Sequence, residues 1–221
     1  MKLDHKRTVL VGLAFLSICA FWQMYDSVVP LILTKTFLMN ETFSGAIMAA
    51  DNILALFLLP VFGSLSERTS TKLGKRMPVI LFGTGCAVIL MNILPLLDNS
   101  YAAAPSTLKT VSFVIVLGLL LIAMGTYRSP AVALMPDVTP KPLRSRGNAI
   151  INLMGAVGGI LYLGVAAVLY PNSKTAGLAH VNYQPLFIVV SAIMFVAIAV
   201  LFLTIKEPKL TAENQALEKE H

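Results

Sequence analysis

Two carboxylates, Asp26 and Asp51, lie within long apolar runs and are the first candidates for chemistry in this sequence. A carboxylate inside a bilayer is costly unless it faces water, is paired or is protonated. Burial raises the pKa of a carboxyl group, and a raised pKa suits a group that takes up and releases protons. We therefore predict that Asp26 carries a proton or binds a solute. For Asp51, which Asn52 follows, hydrogen bonding to helix backbones is an equally open alternative.

Residues beside Asp26 extend this candidate site. Trp22, Gln23 and Tyr25 precede it and offer aromatic rings and an amide to a solute. Arg128 lies near the inner end of the fourth predicted helix, and counting along the helices places it too far in depth for an easy direct pair with Asp26. It either holds a substrate oxygen or carboxylate, or extends its guanidinium to the membrane interface. The sequence leaves both alternatives open.

A stripe of small and amide side chains follows one face of the fifth predicted helix: Asn148, Asn152, Gly155 and Gly159. The helical period places all four on the same side. The two glycines, four residues apart, predict close packing against another helix. The asparagines hydrogen-bond either that neighbouring helix or a solute, and the spacing does not decide between the two.

Motifs of common membrane enzymes and channels are absent. The sequence contains no H-E-x-x-H, no G-x-S-x-G, no phosphate-binding loop and no potassium-channel filter. Its three histidines are far apart, and Cys19 and Cys86 lie inside apolar runs, where we interpret them as small packing residues. We therefore predict a protein that is not an enzyme, with no metal site and no cofactor beyond a coupling ion.

The elements that must position these residues follow from the composition. The 221 residues are 57% hydrophobic and 13% charged, and their mean hydropathy is +0.78. Apolar runs of about 18 residues or more recur, each long enough to cross a hydrocarbon core of about 30 Å. Residues 8–205 are thus predicted to form an all-α domain of six transmembrane helices. Charged tails flank it at 1–7 and 206–221, the second of which is a cytoplasmic tail or the start of a linker.

Basic residues concentrate on one side of this arrangement. Of the 17 Lys and Arg residues, all but Lys35, Lys109 and Lys174 fall on the side that holds both termini. Because basic loops remain in the cytoplasm, both termini are predicted to be cytoplasmic, and we expect the plasma membrane. This topology accounts for the formal net charge of +6 without a nucleic-acid partner.

Polar residues recur with a period of three helices. Predicted helices one, two, four and five carry the ionisable and amide groups, whereas helices three and six are nearly featureless and are expected to face lipid. A unit with an odd number of crossings inserts its second copy upside down. The pattern therefore predicts two inverted three-helix repeats, an arrangement found in secondary transporters.

The hydrophilic loop from Gly63 to Pro78 reads G-S-L-S-E-R-T-S-T-K-L-G-K-R-M-P. It resembles the signature loop between helices two and three of the major facilitator superfamily. The spacing is similar to the longer form G-x-x-S-D-R-T-x-T-x-x-G-R-R-R-P of glycoside–pentoside–hexuronide cation symporters and sucrose transporters. The exit of helix four is similar to the same group in three segments: Tyr127–Pro130, Ala133–Asp137 and Arg146–Asn148. A weaker resemblance extends along the whole chain.

This resemblance implies a symporter that moves a sugar-like solute together with a cation by alternating access. In this family the loop acid and arginine help to lock the outward-facing state, which implies that role for Glu67 and Arg68, although Glu67 departs from the family's aspartate. Ala55 and Leu59 occupy the positions of the paired sodium-binding aspartates of melibiose-type permeases, so we expect proton coupling. The gating residues implied in the two loops are Gly63, Glu67, Arg68, Gly74, Lys75, Arg76, Asp137 and Arg146.

Members of this family have two six-helix halves, and this chain resembles the first. Its polar faces would meet a second six-helix half, supplied by another chain or by a second copy of this one. The alternative is a membrane subunit or truncated half that does not transport by itself. The expected partners are therefore lipid, a small sugar-like solute and this second half.

Overall fold

A computed structural model describes residues 3–219 of the chain. Within them, six helices are long and apolar enough to cross a membrane, and a shorter seventh helix follows. Their bounds are α1 His5–Leu31, α2 Glu41–Arg68, α3 Met77–Ala103, α4 Thr107–Val138, α5 Arg144–Leu169, α6 Gln184–Thr204 and α7 Glu207–Lys219. The predicted all-α fold with six membrane helices is confirmed.

The bundle has two ends, which differ in charge. The basic end holds the connections α2–α3 (69–76) and α4–α5 (139–143), together with the start of α1 and all of α7. The far end holds the connections α1–α2 (32–40), α3–α4 (104–106) and α5–α6 (170–183). These two names are used below without reference to a side of the membrane.

Side-chain caps fix where the first two helices begin. The Asp4 carboxylate accepts a hydrogen bond of 3.0 Å from the amide of Arg7, and the Asn40 side chain accepts one of 3.0 Å from the amide of Phe43. Each cap satisfies an amide that a helix leaves unpaired at its start. α1 therefore begins at His5, inside the stretch predicted as a tail.

α1 passes through its proline before it ends. The helix continues past Pro30 and then widens into one π-helical turn, Ile32–Thr36, in which the amide of Phe37 donates to the carbonyl of Ile32 at 3.1 Å. Leu38, with a φ of 53°, turns the chain toward α2. The interruption predicted at Pro30 is thus a change of helical pitch that follows the proline, and the chain stays helical through it.

α4 is longer than the sequence predicts. It continues through Pro130 and Pro136 to Val138, since prolines are tolerated inside membrane helices when neighbouring groups satisfy the backbone. The guanidinium of Arg144 donates to the carbonyl oxygens of Pro136 at 2.9 Å and Thr139 at 3.2 Å. Because the last carbonyls of a helix lack partners within it, these bonds stabilise the extended end of α4.

The membrane helices pack as two related groups of three. α1 packs on α5 and on α6. In the corresponding way, α4 packs on α2 and on α3, and α3 and α6 contact each other. Exchanging the first three helices for the last three therefore preserves the main contacts. Because each group contains three crossings, the second group runs in the opposite sense to the first. This is the contact pattern expected of the predicted inverted repeats.

α3 and α6 support the core as well as facing outward. Each buries one face, and the side-chain amide of Asn92 on α3 donates to the hydroxyl of Ser191 on α6 at 3.0 Å. By contrast, the most apolar stretch of α2 contains no buried residue. α3 and α6 thus expose apolar side chains such as Phe82 and Phe195, and they also fill the interior of the six-helix unit, which the sequence did not predict.

Glycines allow two of the closest helix contacts. A Cβ added at Gly158 of α5 would lie 2.0 Å from the carbonyl oxygen of Leu16 in α1, and one at Gly83 of α3 would lie 2.7 Å from the amide nitrogen of Tyr127 in α4. The buried Tyr127 hydroxyl donates to the carbonyl of Ala14 at 3.0 Å. These contacts hold α1, α4 and α5 in the arrangement that positions the polar residues.

Candidate functional site

A groove between α1 and α5 is the larger of the two recesses in the described chain that hold predicted site residues of α1. It has a volume of about 370 Å³, and its lining includes Cys19, Gln23, Asn152, Gly155 and Gly159. A Cβ at Gly155 would lie 2.9 Å from the sulfur of Cys19, and one at Gly159 would lie 3.9 Å from the amide oxygen of Gln23. The two glycines therefore leave the room that these α1 side chains occupy.

A much narrower cleft, with a volume of about 20 Å³ and thus room for about one water molecule, lies between α1, α2 and α4. Trp22, Asp51 and Arg128 line it together with apolar side chains of α2 and α4. The guanidinium carbon of Arg128 lies 5.7 Å from the centroid of the Trp22 ring, within the range of a cation–π interaction. The cleft thus brings an aromatic face, a cation and a carboxylate together from three helices.

Arg128 does not extend to the membrane interface. Because α4 continues to Val138, Arg128 lies about 15 Å inside its end at 1.5 Å per residue. Its side chain folds over Trp22 instead, and within residues 3–219 it forms no ion pair. The lack of a direct pair between Arg128 and Asp26 in the described chain agrees with the depth counted from the sequence.

The two carboxylates predicted to carry protons differ in their surroundings. Asp26 is exposed and has no hydrogen bond to other residues of the described chain. One oxygen of Asp51 accepts hydrogen bonds from the backbone and side-chain nitrogens of Asn52, at 2.6 and 2.8 Å. Both carboxylates are close enough to interact electrostatically with the Tyr25 hydroxyl. Asp51 therefore makes the local hydrogen bonds considered from the sequence, and it also lines the cleft.

Two aromatic donors at this site have no protein partner. The Trp22 indole nitrogen and the Tyr25 hydroxyl are buried and form no hydrogen bond within residues 3–219. Tyr25 is only 1% exposed and stacks on Phe21, with ring centroids 6.0 Å apart. Tyr25 thus lies behind the recesses and does not line them directly, whereas Gln23 and Trp22 reach one recess each.

Three members of the stripe predicted on α5 line the groove together: Asn152, Gly155 and Gly159. Asn148 and Asn152 are exposed, whereas Gly155 is buried against α1. Close packing is therefore present at Gly155, and Gly158, outside the predicted stripe, makes the closest contact. The adjacent glycines Gly158 and Gly159 were the signal for this contact in the sequence, because either glycine allows the backbone of a neighbouring helix to approach closely.

A buried arginine organises the basic end. Arg76 is 6% exposed and its guanidinium donates to four groups. Nε donates to the Asp137 carboxylate at 2.8 Å, and Nη2 donates to the Glu67 carboxylate at 3.3 Å. Nη1 donates to the Ser66 hydroxyl at 2.5 Å and to the Gly63 carbonyl at 3.4 Å. This arginine therefore joins the end of α2, the start of α3 and the end of α4.

The carboxylate of Glu207, the first residue of α7, caps the start of α3. It accepts hydrogen bonds from the backbone nitrogens of Lys75 at 2.8 Å, Arg76 at 2.9 Å and Met77 at 2.8 Å. A carboxylate at the start of a helix is stabilised by the unpaired amides and by the helix dipole. Pro208 suits the beginning of α7, because proline is favoured in the first turn of a helix. The predicted charged tail is thus an integral part of the basic end.

Comparison with known proteins decides the family. Residues 11–220 match the family model described as Major Facilitator Superfamily. The chain belongs to the Major Facilitator Superfamily. Membership in this family identifies an integral membrane protein and points to a transporter rather than an enzyme.

Known relatives of this superfamily member include plant proteins. It is similar to "Sucrose transport protein SUC3" of Arabidopsis thaliana, with 30% identity over 141 residues that cover 58% of this chain and 23% of that protein. It is also similar to "Sucrose transport protein SUT3" of Oryza sativa subsp. indica, with 30% identity over 123 residues that cover 49% of this chain and 24% of that protein. The matched stretch spans about a quarter of these relatives.

The loop residues of this superfamily member differ in their burial and in their contacts. The cation that contacts Glu67 is Arg76, at 3.3 Å. Arg68 is exposed and forms no ion pair in the described chain, and the side chains of Lys75 and Arg146 are exposed as well. The position of Arg76 at the start of α3 points its guanidinium between the ends of α2 and α4. The locking role that the resemblance implies for Glu67 and Arg68 stays a prediction.

Proposed function

We propose that this chain forms one six-helix half of a secondary transporter that moves a sugar or a related small polar solute together with protons. The observation that carries the proposal is the shared lining of one cleft by Trp22, Asp51 and Arg128, beside a groove that holds Gln23 and Asn152. The names of the relatives, sucrose transport proteins, support this class of solute.

The two recesses supply the groups that a sugar requires. The partly exposed Trp22 ring offers a flat apolar face for the carbon–hydrogen side of a sugar ring. The side-chain amides of Gln23 and Asn152 supply hydrogen-bond donors and acceptors for hydroxyl groups. Arg128 assists by donating to a solute oxygen, since no carboxylate of the described chain engages its guanidinium. A few polar groups in a mostly apolar recess are the usual composition of a small-molecule site.

Asp26 is proposed as the residue that carries the coupling proton. Its carboxylate is exposed on the same helix as Trp22 and Gln23, and no side chain of the described structure holds it as a permanent ion pair. Asp51 shares the cleft with Arg128 but already accepts hydrogen bonds from Asn52. Asp26 is therefore the freer of the two carboxylates to bind and release a proton.

A second six-helix half is proposed to cover the exposed side of α2. Ile53, Leu56 and Phe57 are 62%, 72% and 64% exposed, and they lie near the polar residues Asp51 and Asn52. The solute would then bind between the two halves, and alternating access would proceed by rocking of one half against the other. We propose a plasma-membrane location with the basic end in the cytoplasm, in accord with the positive-inside rule.

The proton assignment is tested by uptake into sealed proteoliposomes with an imposed proton gradient, using radiolabelled sucrose as the first probe. Asp26→Asn is expected to abolish gradient-driven uptake while leaving exchange of internal for external sugar. Glu41→Gln, an equivalent change at an exposed acid of α2, is the matched control and is expected to transport normally. Unchanged gradient-driven uptake by Asp26→Asn would contradict the role of Asp26.

The exposed side of α2 also favours a second candidate, a membrane subunit or half that does not transport by itself. The mass of the chain in mild detergent, after subtraction of the detergent, separates the two. A stable dimer with sugar uptake supports a transporter assembled from two copies. A monomer without uptake supports a half that requires a different six-helix partner.

A further inference from the structure

The far end of the bundle contains a buried carboxylate without a satisfying donor. Asp98, near the end of α3, is fully buried, and neither of its carboxylate oxygens accepts a hydrogen bond of good geometry within residues 3–219. The Nε2 atom of His180 lies 3.7 Å from one of these oxygens. A buried carboxylate with neither a donor nor a counter-charge is costly. Asp98 is therefore compensated either by a proton of its own or by a charged His180.

His180 joins three parts of the far end. Its Nδ1 atom lies 3.3 Å from the hydroxyl oxygen of Thr36, in the π-helical turn after α1. Its Nε2 atom lies 2.9 Å from the side-chain oxygen of Asn99 on α3. Asn99 in turn donates from its amide nitrogen to the side-chain oxygen of Asn182 at 2.8 Å. The ring thus connects the end of α1, the end of α3 and the connection that precedes α6.

The hydrogen bonds around the ring determine which of its nitrogens titrates. The backbone amide of Gln184 donates to the side-chain oxygen of Asn182 at 2.9 Å, which fixes the orientation of that amide. Asn99 must then direct its nitrogen to Asn182 and its oxygen to His180. Because an amide oxygen only accepts, Nε2 of His180 carries a hydrogen in either charge state. The proton that changes the charge of the ring is therefore the one on Nδ1, next to Thr36.

The hydroxyl of Thr36 links this proton to Asp98. When the ring is neutral, Nδ1 accepts the hydroxyl hydrogen of Thr36, and Asp98 receives none. When the ring is protonated, Nδ1 donates to the hydroxyl oxygen, and the hydroxyl hydrogen is free to turn toward Asp98, which Thr36 also reaches. Binding of one proton therefore supplies Asp98 with a counter-charge and a hydrogen-bond donor together.

The other charged groups at the far end do not compensate Asp98. Lys35 and Lys174 are exposed, Lys109 donates to two backbone carbonyls, and none of them pairs with Asp98 in the described structure. Tyr183, which precedes α6, faces Asp98. Its pKa is raised by burial and then by the negative charge of Asp98, so it remains a neutral phenol. The imidazole is thus the group left to balance the carboxylate.

We propose that His180, Thr36 and Asp98 form a proton-binding site at the far end, separate from the central groove and cleft. The side chain of His180 is partly exposed, so its ring exchanges this proton with water at the far end. The step moves one proton from water to Nδ1 and turns one hydroxyl group. When this proton is bound, the site holds the connection before α6 to the ends of α1 and α3. The inference does not depend on the proposed transport function.

The tautomer of His180 provides the first test. The chain is purified with ¹⁵N-labelled histidine, and the spectrum of His180→Gln identifies the His180 signals among those of the three histidines. The neutral ring is expected to carry its hydrogen on Nε2. A neutral ring with its hydrogen on Nδ1 would overturn the hydrogen-bond assignment on which the site depends.

The dependence of stability on pH provides the second test. Because a charged imidazole compensates Asp98 and a neutral one does not, the folded chain is expected to be more stable at pH values below the ordinary titration range of histidine than above it. The midpoint of thermal unfolding is expected to fall by about 3 °C or more between about pH 5.5 and about pH 8. Asp98→Asn removes the negative charge that the protonated His180 balances, and it is expected to abolish this fall in the unfolding midpoint.

Two further variants separate the site from a general effect of pH. Thr36→Val removes the hydroxyl link and is expected to lower the midpoint at acidic pH, where the link stabilises Asp98. His5→Gln, at an exposed histidine of the basic end, is expected to retain the parental pH dependence. An Asp98→Asn variant that retains the full fall, or a His5→Gln variant that loses it, would overturn the proposal.

Discussion

Gly74 and Glu207 lie so close that a Cβ on Gly74 would stand 2.5 Å from the carboxylate carbon of Glu207. Gly74 also has a φ of 111°, a conformation that residues with a side chain rarely adopt. The glycine therefore turns the chain into α3 and leaves the space through which the Glu207 carboxylate reaches the backbone amides.

Replacement of Gly74 by alanine is expected to destabilise the chain by roughly 2–4 kcal/mol, because backbone strain and the lost space add together. Gly177→Ala is the matched control, since Gly177 has a φ of 83° but nothing within 4 Å of an added Cβ. Unfolding in mixed detergent measures both free energies. Equal losses for the two variants would show that the contact with Glu207 contributes nothing.

The planar guanidinium of Arg76 is expected to be required for the stability of the chain. Arg76→Lys keeps the charge but not the simultaneous contacts with Asp137, Glu67 and Ser66, so it is expected to cost about 3 kcal/mol of stability. Arg68→Lys, at the exposed arginine of the same loop, is expected to change stability by less than about 0.5 kcal/mol. A larger effect at Arg68 than at Arg76 in the same unfolding assay would contradict this assignment.

The Arg76 contacts are expected to be insensitive to the ionisation of the arginine itself. Burial lowers the pKa of Arg76, but its hydrogen bonds and charge interactions with Asp137 and Glu67 outweigh that effect and raise the pKa above the usual arginine value. A base with a raised pKa contributes its stability at lower pH and loses it only as pH rises through that value. The stability difference between the parent and Arg76→Lys is therefore expected to be constant from neutral to moderately alkaline pH in the same assay. A difference that disappears over this range would show that the arginine loses its charge there.

The contact between α1 and α5 is expected to tolerate no added methyl group at Gly158. Gly158→Ala would place a Cβ 2.0 Å from the backbone oxygen of Leu16, which cannot rotate away, and overpacking of this kind costs about 1–3 kcal/mol. Gly164→Ala, in the same helix but with open space around it, is expected to be neutral or slightly stabilising. Similar unfolding free energies for both variants would mean that the helices separate at little cost.

The pairing of Arg128 with Trp22 leads to a prediction about solute binding. Arg128→Gln removes the cation from the cleft and is expected to reduce sugar uptake about tenfold or more while changing stability little. Lys174→Gln, at an exposed cation of the far end, is the control and is expected to transport normally. Normal uptake by Arg128→Gln, at equal expression, would remove Arg128 from the proposed site.

The six-helix fold was predictable because the length and composition of each apolar run nearly suffice to identify a membrane helix. An apolar run either reaches across the bilayer or does not, and the basic loops fix which ends lie together. Helix ends were less predictable. α4 continues through Pro136 to Val138, because Arg144 satisfies the carbonyls at its end.

The grouping of the site residues required the three-dimensional structure. Trp22 and Gln23 are adjacent in sequence, yet they line different recesses because neighbouring residues point about 100° apart on a helix. Similarly, the loop motif singled out Glu67 and Arg68, and no local signal showed that the folded chain pairs Glu67 with Arg76. Glu207 contacts Met77 across 130 positions of sequence, and no local pattern predicts such a contact.

α3 and α6 are joined by side-chain hydrogen bonds at three heights. Glu207, just beyond α6, holds the start of α3, Asn92 bonds to Ser191 midway, and Asn99 bonds to Asn182 before the start of α6. Two helices connected at both ends and in the middle resist sliding past each other and twisting apart. α3 and α6 are therefore expected to move as one rigid pair, so bending of the bundle is left to α1, α2, α4 and α5. Amide hydrogen exchange is expected to be slowest along α3 and α6.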